Sequence, residues 1–249
     1  MKEELSQRQG KIDLLGIIFS GGVGPSPEAI KKLIEHEAKD AILVAADSGF
    51  DAADRAGLCP DWVIGDMDSI DDPECLALLP QERVIRFERD KDFTDTELAV
   101  SLADEKGCGD IWIIGGGGGR LDHLFGIRSL FERDIFPRRW ITDTADIRCI
   151  EAGSKEQGAE KRGGSFVCEV LEKEAVVSVF PLGAGPWEAK SSGLKWPLDG
   201  VSWNRGFFGL SNVAVNGEFS IDVKLGRFMV ILPYVRFKEE SSNGANGRE

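Results

Sequence analysis

This sequence is poor in histidine and in paired cysteine. Its 249 residues include two histidines, His36 and His123, and five cysteines that form no C-x-x-C pair. An odd number of unpaired cysteines argues against a disulfide framework and against a zinc site, and it fits a reducing cytoplasm. So few histidines also argue against a histidine-based metal centre. Chemistry in this chain must therefore depend on carboxylates.

Long apolar runs and a surplus of positive charge are also absent. The longest early apolar run, Leu14–Phe19, is far too short to span a bilayer, and the polar residues before it do not resemble a secretory signal. A formal net charge of −13 predicts repulsion from nucleic acid and from anionic membranes. We therefore expect a cytoplasmic protein that binds neither a nucleic acid nor a membrane.

Residues 14–135 alternate short apolar runs with amphipathic segments, which predicts parallel strands covered by helices. Helix starts are indicated at Ser26-Pro27, at Asp72-Pro73 and at the capping box of Thr94 and Glu97. The predicted strands are Leu14–Phe19, Ala41–Ala45, Trp62–Ile64, Arg83–Phe87 and Asp110–Ile114. Beyond residue 165 the pattern is that of short β-strands without a helix: Phe166–Val170, Ala175–Phe180, Phe219–Val223 and Phe228–Leu232.

A polar or glycine-rich segment follows each predicted parallel strand. These segments contain Ser20–Gly24, Asp47, Asp66 with Asp68, Asp92 with Asp95, and Gly115–Gly119 with Arg120 and Asp122. The carboxyl ends of parallel strands share one edge, where open α/β sheets bind ligands. Like charges gathered there need a cation, and carboxylate oxygens suit magnesium, which takes further ligands from substrate phosphates. The pair Asp66 and Asp68 therefore predicts a magnesium site.

The glycine run Gly115–Gly119 predicts a phosphate-binding loop, because glycines let backbone N–H groups approach a phosphate and Arg120 offers a fixed donor fork. The sequence has no G-x-x-x-x-G-K-[ST] motif, so the run is not a P-loop. The turn Ser20–Gly24 lacks the spacing of a dinucleotide fingerprint, which argues against a dinucleotide cofactor.

Structural roles are open alternatives for the same residues. Asp47, Asp66, Asp68 and Asp95 could form turns or cap helices. His123 could make a structural hydrogen bond, and Trp196 could pack in the core.

Six segments, taken in order, resemble the successive motifs of the thiamine pyrophosphokinase family over about residues 14–232. They are Ala46–Gly49, Pro60–Ile70, Asp90–Asp95, Gly116–His123, Gly193–Leu198 and Gly209–Asn212. Ser48 stands where the family commonly has glycine, Met67 stands where phenylalanine is usual, and the 152–164 loop is rather long. None of these departures falls on a residue that the resemblance implicates in ligand binding.

The resemblance implies transfer of the diphosphate of ATP to the hydroxyl of thiamine, giving thiamine diphosphate and AMP. It assigns Mg²⁺ and the ATP phosphates to Asp66, Asp68 and Asp95, with Asp47 and Asp92 on the same rim. It assigns nucleotide binding to Gly118, Gly119, Arg120, Asp122 and His123, and thiamine binding to Trp196, Ser211 and Asn212. It also implies a homodimer whose active sites lie between subunits. Asp47, Asp92 and Asp122 are all candidates for the base that would accept the proton of the thiamine hydroxyl.

The expected fold class is α/β. It consists of a Rossmann-like domain with a parallel sheet over residues 1–150, followed by a small all-β domain of sandwich or jelly-roll type over residues 165–237. Residues 151–164 and 238–249 are expected to be flexible. Two other functions stay open: a non-catalytic sensor of nucleotide or thiamine on the same scaffold, and a generic metal-dependent phosphohydrolase.

Overall fold

The computed structural model describes residues 14–153, 164–169 and 174–234, which form two β-sheets and four α-helices. The helices are α1 (Pro27–Glu37), α2 (Gly49–Arg55), α3 (Asp95–Glu105) and α4 (Leu121–Leu130), and two 3₁₀ segments cover Pro73–Leu78 and Gln81–Arg83. The strands are β1 (Leu15–Ser20), β2 (Ile42–Ala46), β3 (Trp62–Gly65), β4 (Val84–Arg86), β5 (Asp110–Gly115), β6 (Arg139–Ile141), β7 (Ala145–Glu151), β8 (Gly164–Glu169), β9 (Val176–Leu182), β10 (Glu188–Ser192), β11 (Gly209–Val213), β12 (Glu218–Leu225) and β13 (Arg227–Pro233). Within these ranges no helix is both long and apolar enough to cross a membrane.

Strands β4-β3-β2-β1-β5-β6 are parallel neighbours, as the sequence predicted for the first five. Helix α1 begins at the expected position, because the Ser26 hydroxyl accepts a hydrogen bond from Ala29 N at 3.2 Å and Pro27 follows it. The capping box of Thr94 and Glu97 at the start of α3 is confirmed as well. Both faces of β1 are buried, which explains its continuous apolar sequence.

The helix predicted at Asp72-Pro73 forms as a 3₁₀ segment rather than an α-helix. Asp72 caps it as expected, accepting a hydrogen bond from Glu74 N at 3.1 Å. Pro80 disfavours helical geometry at Leu79, which is extended, and the segment therefore ends after six residues.

The carboxyl-terminal strands extend the same sheet instead of forming only a sheet of their own. Strand β7 turns back antiparallel to β6, and β13, β9 and β11 continue outward from it, giving one ten-stranded sheet. The antiparallel sheet β10-β12-β8 packs on this extension across an apolar core that contains Phe166, Val179, Phe219 and Phe228. The result is a mixed α/β fold with a large, mostly parallel central sheet and a separate antiparallel region.

The β texture expected after residue 165 is correct for the part of that half that the structure describes, but β6, β7, β10 and β11 were missed. The domain limits at 150 and 165 stay a prediction. The segments predicted to be flexible fall mostly on residues 154–163 and 235–249, which lie outside the described ranges.

A buried ion network stabilises the junction between the parallel and antiparallel parts of the sheet. The Arg139 side chain on β6 is fully buried, and its guanidinium donates to Glu37 Oε2 at 2.7 Å. It also donates to both carboxylate oxygens of Asp146 on β7, and Arg148 contacts the same carboxylate. Burial acts to raise the pKa of Asp146, but the charges of Arg148 and Arg139 outweigh burial, so this pKa lies below its ordinary value.

Candidate active site

Three carboxylates meet at the carboxyl edge of the sheet. Asp47 follows β2, while Asp66 and Asp68 follow the neighbouring strand β3. One oxygen from each lies within 4.8 Å of the other two. The structure thus brings together Asp66 and Asp68, two of the three acids expected to bind magnesium, and Asp47, which was expected on the same rim. Asp95, the third expected ligand, is not part of this cluster.

Backbone geometry at the ends of β2 and β3 positions these carboxylates. Asp47 has φ = 46° and Met67 has φ = 64°, a left-handed conformation that non-glycine residues adopt at a cost in energy. Gly65, at φ = 148°, has no side chain, and a Cβ there would lie 3.0 Å from Asp95 Oδ1 and 3.1 Å from Asp47 Cβ. Gly65 therefore allows Asp47 and Asp95 to approach the end of β3 in the space that a side chain would fill.

Asp95 begins α3 and lies next to the three-carboxylate cluster. Burial is the main cause that raises the pKa of Asp95, and the charges of Asp47 and Asp66 raise it further, whereas Lys91 acts in the opposite direction. The Lys91 Nζ atom lies 3.1 Å from Asp95 Oδ1. Asp95 is thus both a helix-start residue and a member of the acidic rim, so its two interpretations are compatible.

The donor set of this rim fits a hard divalent cation. All its members are carboxylates, and Asp47 Oδ1 is buried without a hydrogen-bond partner in the part of the chain that the structure describes. A buried, unpaired carboxylate oxygen is costly unless a cation compensates it. Oxygen ligands of this kind are those that magnesium takes.

The loop after β4 carries two cations toward the rim. Arg89 Nη1 lies 3.6 Å from Asp68 Oδ2, and Lys91 Nζ approaches both Asp95 and the Glu88 carbonyl oxygen, the latter at 3.2 Å. A hydrogen bond from Ser69 Oγ is the main cause that lowers the pKa of Asp68. Asp92 is exposed in this loop and lies outside the three-carboxylate cluster.

The two glycine segments interlock. Val23 and Gly117 exchange backbone hydrogen bonds of 2.7 and 2.8 Å, and Gly116 N donates to Gly21 O at 3.0 Å. A Cβ on Gly117 would lie 2.6 Å from Val23 O, so this approach requires glycine. The first part of the glycine run is therefore fixed, and the exposed Gly118 and Gly119 lead into α4.

Arg120 and Asp122 form a bidentate pair at the exposed start of α4. Arg120 Nε donates to Asp122 Oδ1 at 3.2 Å, and Nη2 donates to Oδ2 at 2.6 Å. These hydrogen bonds from Arg120 lower the pKa of Asp122 to about 2. His123 follows on the exposed first turn of the helix. The donor fork expected to bind a nucleotide thus already engages an anionic group of similar geometry.

The residues expected to bind thiamine lie around the edge strand β11. The Trp196 side chain is 54% exposed, which excludes core packing as its role, and Lys195 Nζ lies 4.8 Å from its ring centroid. Ser211 is exposed with φ = 56°, and its N–H donates to Ser178 Oγ at 3.3 Å. Asn212 is buried, and its side chain bonds to the backbone of Trp196 instead of pointing into a cavity.

One chain does not bring its two groups of predicted site residues together. In the strand order β11-β9-β13-β7-β6-β5-β1-β2-β3-β4, eight steps separate β11 from β3. At about 4.8 Å per step, strands β3 and β11 are about 38 Å apart measured along the sheet.

Sequence reasoning missed Gly65, Arg89 and Lys91 as parts of the rim. The spacing of four residues between Lys91 and Asp95 was a signal that could have revealed their contact.

Comparisons with known proteins give a consistent result. Residues 32–136 match the family model described as "Thiamin pyrophosphokinase, catalytic domain". The chain is 27% identical over 186 residues to the thiamine pyrophosphokinase of Bacillus subtilis (strain 168), an alignment that covers 74% of this chain and 81% of that protein.

Solved structures share the fold. The crystal structure of thiamine pyrophosphokinase from Bacillus subtilis superposes with a TM-score of 0.68 at 24% identity, over 89% of this chain and 99% of that one. The thiamin pyrophosphokinase of Geobacillus thermodenitrificans superposes with a TM-score of 0.64 at 24% identity, over 90% and 98%. For the enzyme from Candida albicans the TM-score is 0.60 at 14% identity, over 91% and 90%.

Proposed function

We infer that this chain belongs to the thiamine pyrophosphokinase family and transfers a diphosphate group from ATP to the hydroxyl of thiamine, giving thiamine diphosphate and AMP. The resemblance found in the sequence is confirmed by the catalytic-domain match. The observation that carries the functional inference is the rim of Asp47, Asp66 and Asp68 beside Asp95, which lies entirely within the matched residues 32–136.

The proposed reaction is a substitution at phosphorus. The thiamine hydroxyl oxygen attacks the β-phosphorus of ATP and forms a new P–O bond, while the bond from that phosphorus to the α,β-bridging oxygen breaks. AMP leaves with the electron pair of that bond, and the hydroxyl loses its proton. Such a reaction needs positioning and charge neutralisation more than covalent help, which suits a carboxylate rim. Asp47, Asp92 and Asp122 are the candidate acceptors of the proton.

We assign Mg²⁺ to Asp66, Asp68 and Asp95. Asp47 Oδ1 has no hydrogen-bond partner among the described residues, which supports Asp47 as a further member of the set. When bound, the metal supplies electrostatic stabilisation of the diphosphate charge. We assign ATP to Gly118, Gly119, Arg120, Asp122 and His123, because the exposed backbone N–H groups of the glycines and the amino terminus of α4 attract its phosphates. When ATP binds, the Arg120 guanidinium would donate its hydrogen bonds to a phosphate instead of to the Asp122 carboxylate.

Thiamine is a cation, and we assign it to Trp196, Ser211 and Asn212, with Trp196 offering a half-exposed ring for cation–π contact. The separation of about 38 Å across the sheet supports a homodimer in which the β11 region of one subunit completes the carboxylate site of the other. In this proposal the α/β part, residues 1–150, is a Rossmann-like nucleotide domain, and residues 165–237 form a sandwich-like thiamine domain. The cytoplasmic location inferred from the cysteine pattern stays a prediction.

The test is formation of AMP from ATP and Mg²⁺ in the presence and absence of thiamine. We expect AMP only with thiamine, and we expect Asp68→Ala to abolish AMP formation while the circular dichroism spectrum is unchanged. Asp71→Ala is the matched control, because Asp71 lies three residues on and pairs only at the surface, with Arg55 at 3.5 Å. Phosphate release without thiamine would indicate a phosphohydrolase instead, and binding without turnover would indicate a sensor.

A further inference from the structure

Lys91 reaches into the acidic rim in a way that the carboxylate assignments leave unexplained. It lies in the loop between β4 and α3, yet its side chain is only 14% exposed, and Nζ is 3.1 Å from Asp95 Oδ1. Its other polar contact is the Glu88 carbonyl oxygen at 3.2 Å. Arg89, on the same loop, is 83% exposed, and its Nη1 atom comes no closer than 3.6 Å to Asp68 Oδ2. Of these two cations, Lys91 is therefore the one built into the rim.

The charge balance explains why an ammonium group is held there. Asp47, Asp66 and Asp68 form one cluster, and the charges of Asp47 and Asp66 act on Asp95 from beside it. Repulsion among these carboxylates is unfavourable unless a positive group lies between them or next to them. Lys91 supplies that charge to Asp95.

A divalent cation bound by Asp95 would change the partner of Lys91. The cation would neutralise Asp95 and repel the ammonium group, while the phosphates brought with it are the nearest new anions. Lysine suits such an exchange, because its flexible four-carbon stem moves a point charge over several ångströms and because it is a common phosphate ligand.

We propose that Lys91 is a phosphate-binding residue that neutralises Asp95 in the empty site and transfers its charge to the diphosphate when the metal–nucleotide complex binds. This proposal rests on the proposed function, since it takes the nucleotide to be the ligand of the rim. The proposal predicts that Lys91 competes with the free metal ion for Asp95 but strengthens binding of the metal–nucleotide complex.

Two binding measurements test that statement without turnover. The first is calorimetric titration of the nucleotide-free protein with Mn²⁺. The second is titration with the magnesium complex of α,β-methylene-ATP, in which the bond that breaks is replaced by a stable one. For Lys91→Gln we expect Mn²⁺ to bind about threefold to fivefold more tightly, because a partly exposed ion pair no longer competes. We expect the nucleotide complex to bind about tenfold more weakly, because a charged hydrogen bond to phosphate is lost.

Control variants separate this role from other effects. Lys91→Arg keeps the charge and should restore most of the nucleotide affinity. Arg55→Gln removes the same charge from an exposed pair outside the rim and should change neither affinity by more than about twofold. Weaker binding of both ligands by Lys91→Gln, no change in either, or equal shifts in Arg55→Gln would overturn the proposal. Failure of the wild type to make thiamine diphosphate would overturn the proposed function alone, because opposite shifts of the two affinities need no turnover.

Discussion

The side-chain amide of Asn212 binds both backbone groups of Trp196. Asn212 Oδ1 accepts a hydrogen bond from Trp196 N at 3.1 Å, and Asn212 Nδ2 donates to Trp196 O at 2.6 Å. Oδ1 also accepts from Val213 N at 2.8 Å, so the amide oxygen has two donors. The segment that presents the Trp196 ring to solvent is thereby fixed to the edge strand β11.

Replacement of Asn212 by alanine is expected to raise KM for thiamine several-fold without changing KM for ATP. The two backbone groups of Trp196 would lose their partners, and the free energy of unfolding should fall by about 1–3 kcal/mol. Steady-state kinetics and urea unfolding measure both effects. Asn204→Ala is the matched control, because Asn204 is exposed and its side chain donates a 3.3 Å hydrogen bond to Ser202 O. An unchanged KM for thiamine would show that fixing Trp196 is irrelevant to binding.

Trp196→Ala is expected to weaken thiamine binding by about tenfold and to leave stability almost unchanged. The ring is half exposed, so little packing is lost, while a cation–π contact with bound thiamine disappears. Trp196→Phe should recover part of the affinity, since phenylalanine keeps a weaker π-face. Calorimetric titration with thiamine supplies the measurement, and equal affinity of the alanine variant would exclude Trp196 from the thiamine site.

Gly65→Ala is expected to lower kcat by about tenfold or more, because a new Cβ would displace Asp47 or Asp95 from the rim. Gly57→Ala is the control, since Gly57 also has a positive φ of 71° but a Cβ there meets nothing within 4 Å. The control should cost about 1–2 kcal/mol of stability with normal turnover. Equal kinetic effects in the two variants would mean that backbone strain, not crowding of the carboxylates, is responsible.

Arg139→Met is expected to lower the free energy of unfolding by about 3–5 kcal/mol, because it leaves Glu37 and Asp146 partly uncompensated in the interior. Arg128→Met removes an arginine that pairs with Glu132 on the helix surface and should cost less than about 1 kcal/mol. Urea unfolding of both variants provides the comparison. A small effect at Arg139 would contradict the stabilising role of the junction network.

Replacing Glu97 is expected to lower the free energy of unfolding by an amount that depends on pH. Burial acts to raise the pKa of Glu97, but hydrogen bonds from Thr94 and the charge of Arg133 outweigh burial, so this pKa is lowered in the folded chain. Its stabilising contribution is therefore complete above the unfolded-state pKa of about 4.3 and is lost as pH falls through the folded-state value. Glu97→Gln should be less stable by about 1 kcal/mol at pH 7, and the difference should shrink as the pH falls below the unfolded-state pKa. A difference independent of pH would exclude an ionic contribution.

Local signals in the sequence predicted local structure well. Ser26 with Pro27 and Thr94 with Glu97 define their helix starts because the capping contacts involve residues within four positions of each other. Asp66 and Asp68 were placed at a strand end by a similarly local signal, because an apolar run followed directly by turn residues indicates where a strand ends.

Long-range pairing was not accessible in this way. The apolar run Phe228–Leu232 indicates a strand but not that it pairs with β7 inside the central sheet, because a strand pattern does not specify its partner. Strand β10 has the sequence Glu-Ala-Lys-Ser-Ser, whose polar composition hides its pairing with β12. The left-handed backbone of Asp47 and the burial of Lys91 likewise depend on neighbours that are distant in sequence or on loop geometry.

The unbroken hydrogen-bonded sheet from β4 to β11 has a mechanical consequence. A hinge between the two halves of the chain would have to break the ladder between β6 and β7 or the neighbouring ladders, and the Arg139 network with them. The sheet therefore resists bending between its two halves. In the proposed homodimer we expect substrate entry and product release to depend on the loops at the carboxyl edge of the sheet and on displacement of one subunit against the other.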